Sequence, residues 1–537
     1  MNTGTTCFAV HTLPERQRCN FVLTAHDCVA NMNLINYLGW HYCMEEIRSH
    51  FNSFWSVLGM LLITIYVFWM MQMAVHHYFC PTLKVIADAF RLNESTAGVT
   101  ILAIANGSPD LFTAIASRLD SSRFSFLACM AQTMFLHTFV AGMVILTRPF
   151  SMEPNYYLRD FGFLFLNTAY MDFIHKRPDG ITWLKALPSG FIFLGYVAVA
   201  LIDQHLLKAR IRQLEKKQDP SVGDVQLGEL KPQDTLPLNR YVIDRTADRQ
   251  GGRHHRVFQQ FWGTVGEFDK ERFRQGTILL KVYLIVKQPI DMILRILIPV
   301  VDMEKPLYGW SKLLFSLQVV LVPTYTAYII VRGHTILGTA AYIVTLMIMV
   351  PVALIICFLT RTDTPPRFFR YTSVIGFLAT VFLIYCLTSE VNAMFFTLAT
   401  VLKVSQEFAL ATVICWAMYS NDLVANIALA YQGWPRMAFT ATFSSPVFGT
   451  FVVLALPLIV EAFLKAPAKI NPSEGHFGET ACIFVEVGLL FSMLAALTNN
   501  FKMRRACGFL LVSYYLFFFG VLVLLEKGVI HGYGVDG

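Results

Sequence analysis

The fold is decided by two stretches of sequence: AIANGSPDLFTAIAS at Ala103–Ser117 and CWAMYSNDLVANIAL at Cys415–Leu429. At one constant offset they share identical residues, namely Ala105/Ala417, Ser108/Ser420, Asp110/Asp422, Leu111/Leu423, Ile115/Ile427 and Ala116/Ala428. The same offset pairs Thr138-Phe139-Val140 with Thr450-Phe451-Val452 in the segments that follow. One register that holds over two successive segments indicates an internal repeat.

The composition is that of a membrane protein. Hydrophobic residues make up 55% of the 537-residue chain and charged residues 15%, whereas soluble domains carry about 25% charged residues. Apolar stretches recur at about the 20-residue length that crosses a bilayer, and each must be helical to pair its backbone groups in lipid. We predict an all-α polytopic protein with twelve spans, near 51–78, 95–117, 124–147, 155–174, 186–203, 311–331, 337–359, 370–400, 405–431, 436–461, 480–499 and 504–526.

The net charge of +7 is concentrated in one polar segment, about Lys208 to Arg274. Such a cluster can bind nucleic acid, but in a membrane protein it marks the cytoplasmic or matrix side, so we expect no nucleic-acid partner. Five spans upstream then place the N-terminus outside. The two copies of the repeat run in opposite directions, which is the inverted-repeat architecture of many secondary transporters.

This topology divides the chain into five regions. They are an extracytoplasmic Cys-containing N-terminal segment (1–50), a first transmembrane half (51–203), a basic loop with an interfacial helix (204–310), additional transmembrane helices (311–369) and a second transmembrane half (370–537). The interfacial helix is Thr277–Val301, an apolar run interrupted by charged residues.

Four of the eleven cysteines precede the first span: Cys7, Cys19, Cys28 and Cys43. An even set in an extracytoplasmic segment predicts two disulfides, and all three pairings remain open.

Each copy of the repeat has a polar centre inside an apolar helix. Asn106-Gly107-Ser108-Pro109-Asp110 lies in the first copy and Ser420-Asn421-Asp422 in the second. Pro109 removes a backbone donor and Gly107 loosens the same turn, so we expect broken helices whose freed carbonyls face an ion. Carboxylates at membrane depth are costly and usually functional.

Two aspartates from two antiparallel helices would place two negative charges at one site. That charge matches one Ca²⁺ or two Na⁺, and hard cations prefer oxygen ligands. The candidate ligands are Asn106, Ser108, Asp110, Gln132, Thr133, Ser420, Asn421, Asp422, Ser444 and Ser445. The alternatives are a salt-bridged structural aspartate, a misjudged helix end, and small residues that serve helix packing.

Other patterns indicate less. Glu390 and Glu407 flank a short outer turn, and we expect them to be solvated helix ends rather than ion ligands. The sequence contains no phosphate-binding glycine loop with lysine, no zinc-protease helix and no nucleophile elbow. Nothing therefore predicts an ATP-driven pump, an enzyme or a bound cofactor.

At these residues the chain resembles the cation/calcium exchanger branch of the sodium/calcium exchanger superfamily. The resemblance is carried by Ala97–Asp110, by Asp422–Phe439 and by the run Ile298-Pro299-Val300-Val301-Asp302-Met303-Glu304-Lys305-Pro306. It implies ten core helices in two inverted halves of five, about two additional helices, and an ion site that includes Asn106, Asp110 and Asp422. The family has Asn where this chain has Met418, and paired glycines where it has Ser444-Ser445.

The sequence thus predicts an antiporter that moves Ca²⁺ across a membrane against a Na⁺ gradient by alternating access. The alternatives are a transport-inactive protein on the same fold and an exchanger with altered selectivity, coupled to H⁺, Li⁺ or K⁺. The resemblance favours the mitochondrial inner membrane, while the absence of an Arg-rich, acid-poor leader in Met1–His50 favours the plasma membrane. No oligomeric state follows from the sequence.

Overall fold

The computed structural model describes residues 6–45, 51–116, 125–177, 180–217, 257–266, 270–299, 309–330, 335–336, 339–362, 364–366, 368–369, 372–464, 469–470 and 476–531. Most of the predicted basic loop lies outside these residues. So do the turn at 118–123 and the run Val300–Pro306.

The described residues form helices and six short strands. The α-helices are α1 (Glu15–Thr24), α2 (His26–Ala30), α3 (Tyr37–Glu45), α4 (Phe51–Ala74), α5 (Cys80–Ala89), α6 (Glu94–Ala97), α7 (Ala103–Asn106), α8 (Ser108–Ala116), α9 (Phe126–Met134), α10 (Ala141–Thr147), α11 (Pro154–His175), α12 (Trp183–Lys217), α13 (Val257–Val265), α14 (Lys270–Gln275), α15 (Ile278–Leu297), α16 (Lys312–Ile330), α17 (Ala341–Leu359), α18 (Thr372–Val401), α19 (Gln406–Ala409), α20 (Cys415–Met418), α21 (Ser420–Tyr431), α22 (Pro435–Thr450), α23 (Leu456–Leu464), α24 (His476–Thr498) and α25 (Arg505–Glu526). A 3₁₀-helix covers Cys7–Thr12, and π-helical turns cover Val75–Phe79, Gly98–Leu102, Phe135–Val140, Leu410–Ile414 and Phe451–Ala455.

The strands form three antiparallel pairs of two residues each. They are β1 (Phe150–Ser151) with β6 (Lys502–Met503), β2 (Ile181–Thr182) with β5 (Lys469–Ile470), and β3 (Thr335–Ile336) with β4 (Thr339–Ala340).

The apolar helices confirm the predicted all-α polytopic class. Within the described ranges, nine helices are long and apolar enough to cross a membrane, and two further helices that are bent at a break bring the number to eleven. The one predicted span that is not among these eleven is 155–174, which coincides with α11. This helix carries Arg159, Asp160 and Asp172 and is therefore too polar to be recognised as a span from its composition. The inverted orientation and the five domain boundaries stay predictions.

The chain divides into two compact units. The first contains Met1–Gln72, Leu92–Asp234 and Ile384–Gly537, and the second contains Met73–Arg91 and Thr235–Leu383. In the second unit, the Gln318 amide donates to the carbonyls of Arg295 and Ile298 at 2.7 and 3.1 Å. These bonds hold the end of α15, the predicted interfacial helix, against α16.

The N-terminal residues Cys7–Glu45 form a small domain of the first unit that we call the N-terminal cap. Both predicted disulfides are present, and the pairing is Cys7–Cys28 and Cys19–Cys43. The cap buries the carboxylate of Glu390, which accepts hydrogen bonds from Asn33, from the Leu34 amide and from the Tyr37 hydroxyl. The prediction that Glu390 is a solvated helix end is therefore wrong, because Glu390 lies inside α18, which continues to Val401, and the cap covers its side chain.

Candidate ion-binding site

Two broken helices of the first unit carry the polar centres of the repeat. The first broken helix is Glu94–Asn106 with Ser108–Ile115, bent by 41°, and the second is Gln406–Met418 with Ser420–Tyr431, bent by 45°. Both begin at a capping side chain that accepts a backbone N–H three residues later, Asn93 in one and Ser405 in the other. The π-helical turn and the break follow at matching positions, so the sequence repeat is also a repeat of backbone conformation.

The breaks lie at Gly107 and Tyr419, at φ −79°, ψ 5° and φ −104°, ψ 18°. In the first helix, Pro109 has no N–H to donate to the carbonyl of Ala105, four residues earlier. The Ser108 hydroxyl donates to that carbonyl instead, at 2.7 Å, and the Ser420 hydroxyl does the same for Ala417 at 2.8 Å. Both serine hydroxyls therefore donate their hydrogen to the backbone, and their oxygen lone pairs can still accept from, or coordinate, another partner.

The two breaks are in contact with one another. The side-chain amide of Asn421 donates to the main-chain carbonyl of Asn106 at 2.9 Å. The Asn106 side chain in turn donates to Oδ1 of Asn426 at 3.5 Å. The polar centres of the two halves, which are more than 300 residues apart in sequence, therefore meet at one place.

The two predicted carboxylates lie at this meeting point. Asp110 is 6% exposed and Asp422 is 1% exposed. Tyr419, from the second helix, stands beside Asp110, while Asn106, from the first helix, stands beside Asp422. The carboxylates are also close enough for the charge of Asp110 to act on Asp422. Two like charges this deeply buried need compensation, which a cation can supply.

Several oxygens at the centre have no donor within the described part of the chain. They are Oδ2 of Asp110, Oδ1 of Asp422 and Oδ1 of Asn421. Ser445, on the helix that follows the second broken helix, lies beside Asp422. Carboxylate, amide and hydroxyl oxygens are the ligands that hard cations such as Na⁺ and Ca²⁺ prefer.

The remaining predicted residues lie on two partner helices, Phe126–Thr147 and Pro435–Phe463. Gln132 packs against the second partner helix, where a side chain at Gly449 would come within 2.7 Å of its amide. The Thr133 hydroxyl donates to the carbonyl of Cys129, four residues earlier. Gln132 and Thr133 are both buried, but among the described residues neither side chain hydrogen-bonds to Asp110 or Asp422.

Ser444 has a packing role in this structure. Its hydroxyl donates to the carbonyl of Gly98 at 3.1 Å and so fastens the first broken helix to the second partner helix. Gly98 permits this close approach, since a Cβ there would lie 2.6 Å from the carbonyl oxygen of Met437.

Sequence reasoning missed two polar side chains at the centre. Asn426 is fully buried and accepts the hydrogen bond from Asn106. It lies four residues after Asp422, and the same helical spacing had drawn attention to Asn106 and Asp110, so this signal could have found it. Tyr419 brings a hydroxyl to Asp110 from the break itself, and no spacing rule predicts that.

Met418, which stands where the family has Asn, is directed elsewhere. Its side chain packs against a hydrophobic cluster that the N-terminal cap forms with α18 and the second broken helix. The cluster contains Cys7, Val10, Val22, Cys28, Leu38, Tyr42, Phe396, Ala399, Ala409 and Ile414. The thioether therefore serves packing of the cap.

Comparison with known proteins gives consistent relatives. The mitochondrial sodium/calcium exchanger protein of Rattus norvegicus is 27% identical over 549 residues, which cover 98% of this chain and 90% of the relative. The human protein of the same name is 25% identical with the same coverage. Cation/calcium exchanger 1 of Arabidopsis thaliana is 23% identical over 96% of this chain and 88% of its own.

A solved structure of the sodium-calcium exchanger NCX_Mj, soaked with zero Na⁺ and Ca²⁺, aligns with a TM-score of 0.41 at 11% identity, over 87% of this chain and 98% of its own. The sodium/calcium exchanger protein family matches residues 55–202 and 372–524, which together include both broken helices and both partner helices. The expected resemblance to the cation/calcium exchanger branch is thereby confirmed. This chain is a multi-pass integral membrane protein that belongs to the sodium/calcium exchanger family.

Proposed function

We propose that the protein is an antiporter that exchanges Na⁺ for Ca²⁺ at the site between the two broken helices, driven by the Na⁺ gradient. The observation that carries this proposal is the meeting of Asp110 and Asp422 at the contact between the two breaks, away from solvent. The names of the relatives, sodium/calcium and cation/calcium exchangers, favour the same ions.

The mechanism follows from charge. Two carboxylates balance one Ca²⁺ or two Na⁺, and an empty site would leave two uncompensated charges in a low-dielectric interior, which is strongly unfavourable. The carrier therefore changes conformation when an ion is bound and keeps its conformation when the site is empty. Because Na⁺ and Ca²⁺ compete for one carboxylate pair, their fluxes are coupled. Asn421, with its free Oδ1, and Ser445, beside Asp422, complete an oxygen-rich surrounding.

Alternating access would be a movement of the two broken helices relative to the two partner helices. Each broken helix has a bend that can absorb such a change, and discontinuous helices at the midplane are typical of secondary transporters.

The proposal is tested by radiolabelled Ca²⁺ uptake into proteoliposomes that contain the purified protein. We expect uptake when the vesicles are loaded with Na⁺, and its loss in Asp110→Asn and in Asp422→Asn. The matched control is Glu479→Gln, which removes one negative charge in the first turn of α24 and should leave uptake near that of the wild type.

Other results would assign another function. Ca²⁺ flux that requires a proton gradient instead of a Na⁺ gradient would indicate coupling to H⁺. Tyr419, which stands next to Asp110, is the observation that favours this alternative. Correctly folded protein without flux under any ion gradient would indicate a transport-inactive member of the family.

The membrane in which the protein acts is a separate part of the proposal. The two disulfides of the cap favour a membrane that faces an oxidising compartment, whereas relatives are named as mitochondrial. Imaging of a tagged full-length chain against mitochondrial and plasma-membrane markers decides between the two.

A further inference from the structure

A buried ion pair lies outside the candidate ion-binding site, on α11. Arg159 and Asp160 have side chains that are 4% and 1% exposed. Nε and Nη2 of Arg159 both donate to Oδ1 of Asp160, at 2.9 and 2.7 Å, and the Tyr196 hydroxyl donates to the same oxygen at 2.8 Å. Consecutive residues of a helix do not face each other, so the arginine side chain has to fold back to make this contact.

Asp160 therefore fixes the guanidinium in one orientation, and the remaining donors point at two other elements. Nη2 donates to the hydroxyl of Ser95 at 2.8 Å, in the first turn of the first broken helix. Nη1 reaches Oδ2 of Asp203 on α12 at 3.3 Å. We call these five residues, Ser95, Arg159, Asp160, Tyr196 and Asp203, the Arg159 network.

The network restrains one end of one broken helix. Tyr156, whose ring lies 5.3 Å from the Arg159 guanidinium, also accepts a hydrogen bond from the capping residue Asn93 at 3.4 Å. Ser95 is buried and lies on the same continuous segment, Glu94–Asn106, that ends at the break before Asp110. A shift of Ser95 therefore moves the segment Glu94–Asn106, whose last residue lies at the ion site.

The second broken helix is anchored differently at the matching position. Ser405 corresponds to Asn93, and its amide and hydroxyl both contact the carboxylate of Glu526, in an exposed bond at the end of α25. In the Arg159 network the guanidinium instead has two carboxylate partners of unequal burial, since the Asp203 side chain is 34% exposed. One arginine with two carboxylate partners can exchange one for the other while it remains paired, and a buried arginine must remain paired.

We propose that Arg159 is a positioning residue for ion exchange. Together with Asp160 it holds the start of the first broken helix through Ser95. Movement of the guanidinium toward Asp203 releases that helix when the ion site opens toward the membrane face on which Asp203 lies, which we call the Asp203 side. This inference rests on the proposed function for its role in transport, but not for the restraint itself. The guanidinium touches no transported ion and acts only through the helix that carries Asn106 and Asp110.

The restraint is tested by hydrogen–deuterium exchange on the full-length protein in lipid nanodiscs. Ser95→Ala removes the contact with the broken helix and leaves the ion pair intact. We expect about tenfold faster amide exchange in peptides from 94–106, as follows from the loss of one charge-assisted hydrogen bond, with no change in peptides from 406–418. Arg159→Lys keeps the charge but loses the planar fork, and should have the same effect.

The matched control is Ser189→Ala. Ser189 is also buried, but among the described residues its hydroxyl bonds only to the carbonyl of Ala186 in its own helix, so exchange should stay unchanged in both peptides. Equal acceleration in both broken helices, or none in 94–106, would overturn the inference.

Ca²⁺ uptake measured separately from each face of the vesicle tests the role in transport. Ser95→Ala should change the KM for Ca²⁺ several-fold on the Asp203 side and leave the KM on the other side unchanged. Equal changes on both sides would refute positioning by the network. If the wild type moves no ion at all, the proposed function fails, while the exchange experiment still decides whether the restraint exists.

Discussion

The two broken helices share a backbone and differ in what holds them. Both have a capped start, a π-helical turn and a break at the same relative positions. The first is held by a buried arginine and by close packing at Gly98, while the second is held by a disulfide-bonded cap. A duplicated element can thus keep the geometry that presents its carboxylate, while the contacts on its outer faces diverge and give each half its own stability.

The largest test of this difference removes a cap disulfide. Cys7 and Cys28 are 21 residues apart, and opening a loop of that size lowers stability by about 3 kcal/mol. We expect Cys7→Ser with Cys28→Ser to accelerate hydrogen exchange in 406–418, which packs on the cap, and to leave 94–106 unchanged.

Cys357→Ser is the control for this pair, because Cys357 is free and lies in the other compact unit. Faster exchange in the first broken helix as well would show that the cap stabilises both halves and that the contrast between them is wrong.

A second test exchanges the residues that precede the two breaks. Asn106→Met removes an amide beside Asp422, and we expect the affinity for Ca²⁺ to fall about tenfold or more, since a polar contact with a charged group is worth about 1.5–3 kcal/mol. Met418→Asn should bring no gain, because position 418 faces the hydrophobic cluster of the cap. Ca²⁺ titration of the purified variants measures both.

The two substitutions also separate affinity from stability. Met418→Asn buries an amide among apolar side chains and should lower the thermal unfolding temperature without weakening Ca²⁺ binding, while Asn106→Met also takes a donor from Asn426 and should lower both. Tighter Ca²⁺ binding by Met418→Asn would show that the side chain can turn toward the ion site, contrary to the packing described.

The sequence was sufficient to predict the repeat, the burial of the two aspartates and the broken first helix, because a carboxylate, a glycine and a proline inside an apolar run have local consequences. The second break was expected only through the repeat, since Tyr419 has no such local signal of its own, and the tertiary contact between Asn421 and Asn106 accompanies the bend.

Burial of Glu390 and the direction of Met418 escaped prediction for a related reason. Both depend on where the N-terminal cap docks, and this is a contact between distant parts of the chain that no periodicity encodes. The cysteine pairing likewise follows from how the cap folds, since the spacing leaves three pairings open.

A third test concerns the position that is Gly98 in the first broken helix and Leu410 in the second. Gly98→Ala places a methyl group 2.6 Å from a main-chain oxygen, and overpacking of this kind destabilises by about 1–3 kcal/mol. Leu410→Ala shortens a half-buried side chain at the edge of the cap cluster and should destabilise by about 1 kcal/mol. Thermal unfolding in one detergent compares the two, and a smaller loss for Gly98→Ala would refute the close approach.

The smallest difference in stability is expected between Ser108 and Ser420, whose hydroxyls each bond across the break of their own helix. Ser108→Ala takes away the donor to the Ala105 carbonyl, and Pro109 offers no N–H to replace it, so a buried carbonyl loses its partner at about 1–3 kcal/mol. Ser420→Ala removes the equivalent bond to Ala417, but the residue that follows is Asn421, which, unlike proline, has a backbone N–H that can donate to that carbonyl. We therefore expect Ser108→Ala to lower the unfolding temperature more than Ser420→Ala. Equal losses would mean that the proline does not distinguish the two breaks.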